Sequence, residues 1–129
     1  MDVLGFDNVF MQVGDLEEAI DFYSRVVGLP VAKRFDAMGT VLFQIGHETP
    51  GLGVGVVESP DPGGHKVWFE VADARAAAEQ LAASGVPLLA PPFAIRTGWV
   101  VEIADPWGNR LGFTDYQLMP QLGRPAAAG

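Results

Sequence analysis

Apolar and polar residues follow two periods along this chain, 3.6 over two longer stretches and two over several short ones, so helices and strands alternate. From Asp15 onward, Leu16, Ala19, Ile20, Tyr23 and Val27 recur at helical spacing and form one apolar face. Asp15 is suited to cap this helix, with Glu18 three residues on, and Gly28 followed by Pro30 ends it. A second helix starts at Asp73 and carries a slimmer stripe of Ala77, Ala78, Leu81 and Ala82 before Gly85 and Pro87 stop it. Its small residues predict close packing on a sheet. One strand is predicted before each helix, at residues 5–13 and 66–71. Three more follow each, at 31–35, 40–46 and 53–58, then at 88–90, 99–104 and 110–115.

The two halves repeat one another. Val13-Gly14-Asp15 opens the first helix and Val71-Ala72-Asp73 the second, and Gly28-Leu29-Pro30 and Gly85-Val86-Pro87 close them at a nearly constant offset. The expected fold class is α+β, with two βαβββ modules at residues 1–60 and 64–119. "SPDPGGH", residues 59–65, reads as the linker, and residues 120–129 read as a flexible tail.

Composition narrows the function. The 129 residues suit one compact domain or two half-domains sharing a core. No apolar run reaches the roughly 18 residues of a membrane span, and the start of the chain lacks a signal-peptide pattern, so a cytoplasmic protein is expected. With no cysteine, disulfides and thiolate chemistry are excluded. A net charge of −8 argues against nucleic acid as a partner. It either favours cationic small molecules or only keeps the protein soluble. Ser24, Ser59 and Ser84 have no triad partners in the sequence. "GLGVG", residues 51–55, opens a strand and lacks the Lys of a phosphate loop.

Three stretches in this order, "VGDLEEAIDFYSRVVGLP" (13–30), "FEVADARAAAEQLAASGVP" (69–87) and "DPWGNRLGF" (105–113), resemble the vicinal oxygen chelate superfamily of glyoxalases, extradiol dioxygenases and bleomycin-resistance proteins. The resemblance implies that the paired modules curve into a cup, with a homodimer completing the clefts. In the superfamily's metalloenzymes, four inward His or Glu side chains hold a divalent ion. Transferred to this chain, those positions are Asn8, Val56 (with Glu58 the carboxylate in reach), Lys66 and Gly112. A divalent ion needs several imidazole or carboxylate donors, and an ammonium repels it. No metal and no other cofactor is therefore expected. His65 would need a bulge to turn inward, and His47 reads as a surface residue.

Strand alternation sorts the remaining residues by face. Asn8, Phe10 and Gln12, then Lys66, Trp68 and Glu70, point away from the helices, as do Leu42, Gln44, Val100, Glu102, Arg110, Gly112 and Thr114. Trp99 alternates with Val101 and Ile103, so it packs beneath the helix or marks the rim. The predicted ligand-binding set is Asn8, Phe10, Gln12, Leu42, Gln44, Lys66, Trp68, Glu70, Trp99, Glu102, Gly112 and Thr114, with no catalytic residue assigned. Gly112 is expected to leave room for a bulky guest, and Lys66 to neutralise Glu70 and Glu102. The leading expectation is a metal-independent, bleomycin-resistance-like protein that sequesters an antibiotic or aromatic secondary metabolite, the guest being aromatic, cationic or both. The alternatives are a glyoxalase- or dioxygenase-like enzyme, a metal-free isomerase or cyclase using Lys66 and Glu70, or an interaction module without a pocket.

Overall fold

The computed structural model describes residues 1–2, 8–61 and 66–125, without the side chains of 48–50. The chain divides into two compact units, residues 1–63 with 107–109, and residues 64–106 with 110–129. Each has the order strand, helix and three strands.

In the first unit, β1 (Asn8–Val13) leads to α1 (Leu16–Ile20), which widens into a π-helical segment, Asp21–Val26. Then come β2 (Val31–Phe35), β3 (Thr40–Ile45) and β4 (Glu48–Val56), in the sheet order β1-β4-β3-β2. β1 runs parallel to β4, and the other neighbours are antiparallel. Asp15 caps α1, its Oδ1 accepting the Glu18 N–H at 2.8 Å. The wide turn changes which residues reach the sheet, because a π segment fits more residues per turn than an α-helix. Phe22 and Tyr23 are both buried, while Ile20 and Val27 are only half-buried. Tyr23 meets Phe22 edge to face, tilts against Phe43 and donates to Met11 Sδ at 3.4 Å. Burying a side chain such as Phe43 stabilises the fold by about 2 kcal/mol.

In the second unit, β5 (Lys66–Glu70), α2 (Ala74–Ala83), β6 (Phe93–Ala94), β7 (Trp99–Ala104) and β8 (Arg110–Thr114) form the equivalent sheet, in the order β5-β8-β7-β6. Asp73 caps α2 through the Ala76 N–H at 3.0 Å. The helix buries Ala74, Ala78 and Leu81, whereas Ala82 is exposed. Gly28 and Gly85 adopt φ of 91° and 80° after the two helices, the left-handed conformation that glycine takes without strain.

The strand expected at residues 88–90 lies instead at Phe93–Ala94. Pro91 and Pro92 offer no N–H to a ladder, so residues 88–90 keep one backbone bond to β7, from the Leu89 N–H to the Glu102 carbonyl at 2.9 Å, and the paired strand forms beyond the prolines. β4 starts earlier than expected and ends at Val56. Beyond Met119, where the sequence offers no pattern, Pro120–Leu122 forms a 3-10 turn and Arg124 is tied to Glu70. The predicted strand residues 5–7, the linker residues 62–65 with His65, and the last four residues lie outside the described part. No helix among the described residues is long and apolar enough to cross a membrane.

Candidate functional site

Each sheet has one face against its helix and one face without a helix, and cross-strand register decides which side chains share the latter. In the first unit Phe10 pairs with Gly53 and Gln12 with Gly55, while Leu42 pairs with Gly53 and Gln44 with Gly51. Glycines therefore recur at every second position of the central strand, on the same face as Asn8, Phe10, Leu42 and Gln44. The Phe10 ring rests on this glycine floor. A Cβ on Gly55 would stand 3.0 Å from Phe10 Cε1, and one on Gly53 would stand 2.8 Å from Asn8 Oδ1 and 2.9 Å from Leu42 Cδ2. The outer side of the ring is open, and Phe10 is 54% exposed. Two of the polar residues on this face are engaged locally. Gln12 Oε1 accepts the Asp61 N–H at 2.9 Å, and Gln44 Nε2 donates to the Gly46 carbonyl at 3.3 Å.

The second unit repeats the arrangement with a larger ring. Trp68 pairs with Gly112, and a Cβ on Gly112 would come within 2.8 Å of Trp68 Cδ2. Trp68 is nevertheless 46% exposed, so one side of the indole covers glycine backbone and the other faces solvent. Lys66 Nζ lies 5.3 Å from the centroid of the same indole and 2.9 Å from Glu102 Oε1. Cation–π and ionic attraction together hold the ammonium beside the ring. Thr114 pairs with both Glu70 and Val100 and completes this face.

Three expectations are corrected here. Gly112 does not leave open space, because the Trp68 indole fills it. Lys66 neutralises Glu102 alone, while Glu70 Oε2 accepts the Arg124 backbone N–H at 2.7 Å and Glu70 Oε1 pairs with Arg124 Nη1 at 2.6 Å. The Arg124 backbone N–H, aided by the guanidinium, holds the Glu70 carboxyl below the usual carboxylate range. Trp99 does not share the helix-free face with Trp68 and Gly112. It shares the helix-covered side with Val101 and Ile103, and the Arg75 guanidinium of α2 lies 4.3 Å from its ring centroid.

The positions that would hold the superfamily's metal do not fit one. Asn8 supplies a neutral amide, Lys66 a cation and Gly112 nothing. Val56 pairs with Val13, which is fully buried, so it lies on the opposite face from Asn8. Among the described residues no group of three His, Asp or Glu side chains could hold a metal ion.

Sequence reasoning missed two structural supports. Asp115 is fully buried, and its carboxylate accepts backbone N–H groups of Ala74 at 2.7 Å, Trp99 at 2.8 Å and Gln117 at 3.2 Å. It ties the start of α2 to β7 and to the chain after β8. Asn109, also buried, donates to the Gln12 carbonyl at 2.9 Å, and Trp107 lies against Gly14 in the same unit. Both supports are polar residues at strand ends or turns, where hydrophobic periodicity is silent.

Topology and sequence agree on the family. Residues 5–113 match the sequence model of the Glyoxalase/Bleomycin resistance protein/Dioxygenase superfamily, and the chain belongs to that superfamily. Among solved structures it is similar to TnmS3, an antibiotic-binding protein from Streptomyces sp. CB03234, with 22% identity, TM-score 0.75, and 90% of this chain and 98% of that chain covered. A superfamily member from Sphaerobacter thermophilus shares 20% identity at TM-score 0.75, covering 88% of this chain and 98% of that one. Lactoylglutathione lyase from Agrobacterium tumefaciens shares 19% identity at TM-score 0.71, covering 92% and 98%. At these identities the likeness concerns the fold. No curated protein matches the sequence.

Proposed function

We propose that the protein is a metal-independent binding protein that sequesters a planar aromatic small molecule, an antibiotic or a similar secondary metabolite, by stacking it on exposed rings. The observation that carries the reading is the Trp68 indole lying on Gly112 with its outer side open. At a position where the metalloenzymes of this superfamily present an ion ligand, this chain presents a π surface. Stacking on such a ring contributes about 0.5–1.5 kcal/mol beyond the apolar area buried. Phe10 on its glycine floor offers a second surface of the same kind in the other unit.

The metal-free enzyme reading has less support, because Glu70, the proton-transfer partner available to Lys66, is held by Arg124. The proposal includes the homodimer and the cytoplasmic location expected from the sequence.

Calorimetric titration with a panel of aromatic antibiotics, including glycopeptides and intercalators, tests the proposal in the presence of EDTA. At least one compound is expected to bind with EDTA present, and Trp68→Ala is expected to weaken it at least about tenfold, roughly the worth of one lost stacking partner. Failure of the whole panel, or binding that requires an added divalent ion, would overturn it.

A further inference from the structure

We propose that the guest of the second unit is an aromatic anion, a planar ring bearing a carboxylate or an ionised phenol, and that Arg110 reads its charge. The proposal rests on the binding function above and adds the chemical class of the guest. Leu89, Ala90, Phe93, Val101, Glu102 and Arg110 line a cavity of about 340 Å³, within the range of small-molecule sites. The cavity shares Glu102 with the Lys66 ion pair, and Lys66 in turn lies 5.3 Å from the centroid of the Trp68 ring, so these two charged side chains link the cavity wall to the platform. Phe93 and Leu89, 49% and 47% exposed, supply apolar walls that a ring system can cover.

Charge bookkeeping on this face is specific. Lys66 is cancelled by Glu102, and Glu70 by Arg124. Arg110 is left over, with no hydrogen-bond or ion-pair partner among the described residues. It also stands directly across from Lys66 in the parallel β5–β8 register. Like charges placed opposite one another destabilise a sheet, and an anion bound between them would offset that repulsion. A guanidinium also offers a carboxylate two parallel N–H donors, a geometry that an ammonium lacks.

The net charge of −8 argues for a cationic guest at long range. Screening limits that field to about 8–10 Å at physiological salt, so within the site the local surplus of one positive charge decides.

Calorimetry on the full chain, with EDTA present, can compare three ligands of equal ring size: 2-naphthoate, 2-naphthamide and 2-naphthylmethylammonium. The naphthoate is expected to bind at least about tenfold tighter than the amide, the scale of one charge-assisted contact, with the ammonium weakest. Arg110→Gln should close the gap between naphthoate and naphthamide, whereas Arg110→Lys should retain it. Equal binding of all three, tighter binding of the ammonium, or an anion preference that survives Arg110→Gln would overturn the inference while leaving aromatic binding intact. No binding of any of the three while a compound of the antibiotic panel still binds would overturn the inference alone, and failure of both sets would overturn both.

Discussion

The indole of Trp68 lies on the backbone of Gly112, so closely that even a methyl group there would overlap the ring at Cδ2, 2.8 Å away. The pair joins β5 to β8 on the face of the sheet that no helix covers. Glycine in a strand interior normally weakens it, and an aromatic ring laid across the gap restores the lost packing. The same device recurs where Phe10 covers Gly53 and Gly55.

Gly112→Ala should therefore lift the indole off the sheet. The expected loss of stability is about 1–3 kcal/mol, the usual cost of overpacking, and nearer the low end because the exposed ring can swing toward solvent. Urea unfolding followed by circular dichroism measures it. Binding of aromatic ligands should weaken in parallel, and unchanged stability together with unchanged binding would show that Trp68 does not rest on Gly112.

Asp115→Ala removes the acceptor of three backbone N–H groups beneath a surface that water does not reach. Leaving a buried donor unpaired costs about 1–3 kcal/mol, so the variant should lose about 3 kcal/mol or more. Its amide exchange should accelerate first at Ala74 and Trp99. A loss below about 1 kcal/mol would mean that water or a neighbouring group takes over the contacts.

The Glu70–Arg124 contact sets an acid limit on the segment after β8. Because the folded carboxyl titrates below its ordinary value of 4.5, the contact stabilises the fold fully above that value and is lost as pH falls through the lower, folded value. Limited proteolysis near Arg124 should thus increase in acid for the parent protein. Glu70→Gln should show raised cleavage already at neutral pH and little further change. If the parent and the variant are cleaved alike at neutral pH, Glu70 does not hold the segment.

Much of the fold was legible in the sequence, because both helices carry their own stops and caps and β7 and β8 alternate cleanly. Asp15 and Asp73 cap where a helix-start pattern puts them, and Lys66, Trp68, Glu102 and Gly112 share the face that alternation assigns. What the pattern could not supply was pairing across distance. Whether Lys66 chose Glu70 or Glu102 depended on Arg124, fifty-four residues beyond Glu70 along the chain. Alternation put Trp99 with Val101 and Ile103 but left open whether it packs beneath the helix or marks the rim, and the Arg75 contact places it against α2. The cavity was hidden for a related reason: the strand near it was expected before Pro91-Pro92, so Phe93 and Leu89 were not placed at its wall.

The most direct test of aromatic, metal-free binding is nuclear magnetic resonance of the three tryptophan indole N–H groups during titration with 2-naphthoate in EDTA. Ring-current shifts should concentrate on Trp68. Trp99, under Arg75, and Trp107, against Gly14, should stay close to their starting positions. A titration that moves Trp99 or Trp107 while Trp68 stays still, or one that needs a divalent ion before any resonance moves, would contradict it.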